Sequence, residues 1–197
     1  AEIVSPFPQK LIVTALGNSA ATPEGGLTAQ VVAFGSLAEL EDASAESVKG
    51  KIVFITHRMR ATQDGSSYGA FGPIRRNGPS LASRKGAAAI VIRSLGTDMT
   101  RFPHTGVQTW AEGVPPIPAG ALSLVDAENL ERMLVRDNAI VIKIVLTPRN
   151  LGVQQSGNVI GVIPGTDPAA GVVAIGGHLD SWDLGTGAFD DAAGLAI

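Results

Sequence analysis

At 197 residues, with 45% apolar and 17% charged side chains, the chain has the make-up of a globular protein with a core to bury, not of a disordered one. A formal net charge of -3 gives no electrostatic basis for nucleic-acid binding, and no apolar run of about 18 residues is present to span a membrane. The lack of any cysteine excludes disulfide scaffolds and thiolate metal sites, so a metal would have to be held by His, Asp or Glu. Ala1-Glu2-Ile3 is not a charged-then-apolar leader, so no signal peptide is expected in this stretch.

In chain order, Leu11 to Leu16 reads as a short strand, Gly17 to Gly26 as a loop, and Leu27 to Phe34 as a second strand. Ser36 with Glu39 three residues on is a capping box, predicting a helix to about Val48 with Gly50 as its stop. Lys51 to Thr56 is a strand with a buried middle. The stretch from His57 to Gly78, carrying Tyr68, Arg75 and Arg76, reads as a long connection, and connections of that length are usually functional or disordered.

Pro79 suits a first helical position and Gly86 a helix stop, followed by a strand over Ala87 to Arg93. Ser94 to Pro116 is loop, and Ile117 to Leu122 is a strand. Ser123 with Asp126 opens an amphipathic helix, Leu124 to about Val135, with Leu130, Met133 and Leu134 inward. Ala139 to Leu146 completes a self-contained block of about residues 25 to 150. Beyond a linker, Pro148 to Gly157, two short apolar runs, Asn158 to Ile163 and Val172 to Gly176, read as strands of a sheet covered on both faces.

The chemistry collects just past the second of these runs. His178 and Asp180 fall on one side of an extended chain, so a carboxylate there could orient the imidazole. Asp190 and Asp191 follow across a turn permitted by Gly185 and Gly187. Imidazole and carboxylate are both zinc ligands, and a carboxylate can bridge two metals. Two readings stand side by side: Asp190 and Asp191 as carboxylates at a helix start, or His178 with these carboxylates as a metal site. Rival motifs fail. Trp182 and Leu184 occupy ligand positions of an EF-hand loop begun at Asp180, Ser181 is not in a Gly-x-Ser-x-Gly elbow, and there is neither a phosphate loop nor a His-Glu-x-x-His.

The segment Gly177-His178-Leu179-Asp180-Ser181-Trp182-Asp183, followed by Gly187-Ala188-Phe189-Asp190-Asp191, resembles the first metal motif of the M28 family of dizinc aminopeptidases and carboxypeptidases. The likeness extends to Leu16-Gly17-Asn18-Ser19, Gly50-Lys51-Ile52-Val53 and Pro103-His104-Thr105-Gly106. It implies an α/β protein: residues 1–24 an N-terminal segment of the peptidase region, 25–150 a protease-associated domain of β-sheet with flanking helices, and 151–197 the first strands of an α/β zinc-peptidase domain.

The resemblance implies that His178 ligates one zinc, that Asp190 bridges two, and that Asp180 is the catalytic residue assisting His178. It also implies a peptide substrate cleaved near a free terminus, a secreted or periplasmic location and a homodimer in the full-length protein. The general-base Glu and remaining ligands are expected beyond Ile197, so these residues alone are expected to bind zinc weakly and to hydrolyse nothing. Arg75, Arg76 and His104, in the predicted long loops, are expected to bind a substrate carboxylate. The alternative is a non-catalytic protease-associated module that binds substrate or a partner protein.

Overall fold

The computed structural model describes residues 1–137 and 139–196 and divides them into two units, Ala1–Arg149 and Asn150–Ile197. Unit 1 is α/β. Its strands are β1 (Glu2–Ser5), β2 (Gln9–Lys10), β3 (Val13–Ala15), β4 (Leu27–Phe34), β5 (Ile52–Ile55), β6 (Ala89–Arg93), β7 (Ala119–Leu122) and β8 (Val141–Ile144). They form one sheet in the order β2-β1-β8-β4-β5-β6-β7-β3. The centre, β4-β5-β6-β7, is parallel, and the flanking pairs are antiparallel.

Every residue of β5 and β6 is buried, as expected for a parallel sheet covered on both sides. Alternation along each strand sorts the apolar side chains into two cores. Ile52, Phe54, Ala89 and Val91 face α4 (Leu124–Arg136) through Ala127 and Leu130. Val53, Ile55, Ile90 and Ile92 face Leu40 of α1 (Leu37–Asp42), Val48 of α2 (Ala45–Val48) and Ile74 and Ala82 of α3 (Ser66–Arg84).

The predicted β4 is matched in full, and β5 to β8 lie inside their predicted spans. Residues 1–24 contribute β1, β2 and β3 to the same sheet. The capping chemistry is present: Ser36 Oγ accepts from Glu39 N, and Ser123 Oγ accepts from Asp126 N. Glu39 reaches back to Gly35 N at 2.7 Å. The helix expected from Ser36 to Val48 is instead two helices, because Ser44 caps a new start.

The largest correction is α3. Its 19 residues begin at Ser66, inside the stretch read as connection, and Pro73 and Pro79 both lie within it. Proline removes a donor from the helical ladder, and Gly69, Gly72 and Gly78 erase the apolar periodicity that would have announced the helix. The small residues instead serve packing. A Cβ on Gly78 would sit 3.4 Å from Leu37 and 3.5 Å from Ile90, so the helix lies close against the sheet.

In unit 2 the runs 158–163 and 172–176 are not strands; their apolar side chains are exposed, with Val159, Ile163, Val172 and Val173 nearly fully so. A strand needs a hydrogen-bonded neighbour, and none pairs with them among the described residues. Unit 2 keeps a 3-10 turn, Pro168–Ala170, and α5 (Ala192–Leu195).

Candidate metal centre

Within unit 2 a hydrogen-bonded loop folds the chain back on itself. Ser181 Oγ donates to the Gly185 carbonyl at 3.0 Å, Gly185 N to the Trp182 carbonyl at 2.8 Å, and Ala192 N to the Gly187 carbonyl at 3.1 Å. Gly187 takes φ +72°, which favours glycine. Gly177 gives room of another kind: a Cβ there would lie 2.6 Å from Asp191 Oδ2 and 2.8 Å from Leu195 Cγ, so those side chains would have to shift.

The fold-back brings the carboxylates to the imidazole. His178 Nε2 lies 2.9 Å from Asp190 Oδ1, and Nδ1 lies 2.7 Å from the Asp180 carbonyl and 3.2 Å from Asp180 Oδ1. The backbone N–H of His178 donates to Asp191 Oδ2 at 3.1 Å. Acceptors at both ring nitrogens favour the imidazolium. The His178 pKa is accordingly raised, first by the Asp180 carbonyl, then by the Asp190 carboxylate, with the Asp191 and Asp180 charges adding to it.

His178, Asp190 and Asp191 each place a ligand atom within 4.8 Å of the others. One imidazole and two carboxylates form a nitrogen and oxygen donor set that fits zinc. His178 is half-exposed and Asp180 and Asp190 are largely exposed, lining an open cleft of about 310 Å³ with Ser181 and Trp182. In the sequence Asp191 stands between a helix start and a metal site, and the resemblance implies a ligand role only for His178 and Asp190; the structure adds Asp191 to the cluster. It is the residue before α5, but its side chain makes no capping bond there.

The other expected site residues lie in unit 1. Arg75 is buried on α3, and its Nη1 donates to the Thr105 carbonyl at 2.7 Å and to Tyr68 Oη at 3.1 Å, while lying 3.2 Å from His104 Nε2. Tyr68 Oη is 3.0 Å from the same nitrogen. Arg75 and His104 are therefore brought together, with Tyr68, to which the sequence analysis assigned no role, as a third member. Arg76 is exposed, and its guanidinium lies over Gly72, where a Cβ would meet Nη1 at 2.7 Å.

Residues 158–197 match the model for Peptidase family M28. The whole chain aligns with carboxypeptidase Q of Mus musculus at 34% identity and of Xenopus laevis at 37%, in each case spanning 40% of the relative's length. A crystal structure of a peptidase M28 precursor from Shewanella amazonensis matches with a TM-score of 0.71 and 46% identity, covering 73% of this chain and 33% of that one. The M28 resemblance carried by the His178 and Asp190 motif is borne out by these relatives. No helix among the described residues is long and apolar enough to cross a membrane.

Proposed function

We propose that this chain is a portion of a zinc-dependent M28 exopeptidase, in which unit 2 supplies the first metal ligands and residues 25–150 form a protease-associated domain. The observation that carries this reading is the 2.9 Å approach of His178 Nε2 to Asp190 Oδ1 inside the stretch that matches the M28 model. His178 and Asp190 would hold the zinc, and the family resemblance implies a second ion shared by Asp190. Bound zinc supplies Lewis-acid polarisation of a carbonyl and lowers the pKa of water. The chain's own residues do the positioning. Asp180 fixes the imidazole through its carbonyl and carboxylate, and Asp191 fixes the backbone at His178.

The relatives' names support peptide substrates cleaved at a terminus. A secreted or periplasmic location and a homodimer accompany this reading through the family resemblance. The test is hydrolysis by the complete parent protein of dipeptides with free termini, against peptides blocked at either end. Activity lost on chelation, restored by zinc, and confined to substrates with a free terminus is the expected result. Undiminished activity of a His178→Ala parent would sink the proposal.

A further inference from the structure

Strand β3 (Val13–Ala15) is an outer strand of the sheet, paired on one side only, with β7. Hydrogen bonding alternates along an antiparallel strand, so successive residues turn their N–H and C=O groups to opposite sides. Ser123 N donates to the Ile12 carbonyl at 3.0 Å and Leu16 N to the Ala119 carbonyl at 2.9 Å, so Ile12, Thr14 and Leu16 address β7. The intervening residues address the other side. Leu11 N donates to the Ala1 carbonyl and Gly17 N to the Gly106 carbonyl, each at 2.9 Å. Between these two closures stand Val13 and Ala15, whose two donors and two acceptors meet no partner among the described residues.

Exposed sheet edges are normally blunted by a charge, a proline or a bulge. The opposite edge, β2, follows that rule with Lys10 and the adjoining Pro8. Strand β3 has none of these devices. Val13-Thr14-Ala15 is uncharged, free of proline and in unbroken register with β7, and its three residues are only half-buried. From this unguarded edge we infer that unit 1 docks an extended peptide, which adds a strand beside Val13–Ala15.

The row of donors and acceptors specifies its occupant. An extended peptide backbone carries the complementary groups at the same spacing, whatever its side chains. A second copy of this chain fits the strip poorly: three residues closed at both ends cannot bury the roughly 800 Å² per partner of a stable interface. Val13 and Ala15 turn their side chains toward the core under α4, so peptide residues lying beside them meet a small apolar surface. Uncharged, β-branched residues suit that surface. The peptide assignment rests on the edge alone; that such peptides are also substrates rests on the exopeptidase reading.

The experiment is an NMR titration of the isotopically labelled 197-residue chain, with zinc chelated. The probes are the blocked peptide acetyl-Val-Thr-Val-amide and its analogue N-methylated at all three residues, which lacks their donors. Expected with the first are saturable shifts and slowed amide exchange at Val13 and Ala15, with a dissociation constant on the order of 1 mM. The analogue binds at least about tenfold more weakly. Ala15→Pro removes an outward donor and no β7 bond, because proline is tolerated on the free side of an edge strand. It also weakens the peptide at least about tenfold, with the Ile90 and Leu130 amide shifts unchanged. The analogue is read on the unsubstituted chain, so the test stands even where Ala15→Pro does not fold. Absence of saturable shifts, equal binding of the analogue, or full affinity in folded Ala15→Pro overturns the site. A concentration-dependent dimer in sedimentation that Ala15→Pro abolishes assigns the edge to a second copy and overturns the peptide. None of these readouts depends on peptide hydrolysis, so this site and the exopeptidase reading fail separately.

Discussion

His178 and Asp190, 12 positions apart in the chain, meet with Nε2 2.9 Å from Oδ1, while the other ring nitrogen meets the Asp180 carbonyl at 2.7 Å. Each side of the imidazole is thus committed: one to the carboxylate with which it would share a metal, the other to an orienting acceptor.

That division predicts an order of effects on zinc binding. His178→Ala and Asp190→Asn should abolish saturable zinc binding by this chain in equilibrium dialysis. Removing an orienting partner usually costs about 10–100-fold in metal affinity. Here the nearer acceptor is the Asp180 backbone carbonyl, which a substitution leaves in place. Asp180→Asn should therefore cost less than about tenfold. A loss from Asp180→Asn as large as that from His178→Ala would contradict the assignment.

Unit 1 should lose stability in mild acid through His57. The ring is 3% exposed, packs against Phe71 and has no hydrogen-bond partner for either nitrogen among the described residues. Burial first, then the nearby Arg93 charge, push its pKa down to about 4, with only a small opposing pull from the Ile55 backbone. The unfolded chain, with the ordinary value of 6.5, takes up the proton first. The contribution is therefore fully present above pH 6.5 and is lost as pH falls toward 4, a change on the order of 3 kcal/mol. Urea denaturation from pH 7 to pH 4 (both roughly bracketing that window) should show this loss. His57→Leu should flatten it, and an identical slope in the variant would count against His57 as its source.

Asp126 should be a costly residue to lose. Its buried carboxylate accepts from Ile12 N at 2.8 Å and from Ser123 Oγ at 2.7 Å, and pairs with Arg101 at 3.2 Å. It thereby fastens the N-terminal stretch to the start of α4 across 114 positions. Asp126→Ala leaves buried donors unpaired and should destabilise unit 1 by about 3 kcal/mol. A shift of the denaturation midpoint worth less than about 1 kcal/mol would show that the tie is dispensable.

Gly106→Ala should disturb the Arg75 cluster from outside it. Gly106 has φ +141°, and a Cβ there would lie 2.5 Å from the Arg75 guanidinium. With the backbone strained and Arg75 displaced, a destabilisation of about 2 kcal/mol is expected, together with a changed environment at Tyr68. Tyrosine-ring NMR shifts identical to those of the unsubstituted chain would contradict the packing.

Much of the molecule was legible from residue order because the signals are local. Alternating or continuous apolar runs defined the central strands, Ser36 and Ser123 announced helix starts, and the spacing of His178, Asp180 and Asp190 with its glycines pointed to metal chemistry. What residue order could not carry was set by packing. Helix α3 exists despite Pro73 and Pro79 because its small face fits against the sheet; the chain alone shows only helix breakers. Tyr68 becomes a partner of His104 only because α3 places it beside a loop 36 positions away. Asp191 leaves a capping role for His178 because Gly177, lacking a Cβ, leaves room for the Asp191 carboxylate to reach the His178 backbone N–H. The residue types and their spacing determined the chemistry on offer. Close approach of segments far apart in the chain, which depends on side-chain volume at each crossing, decided which groups use it.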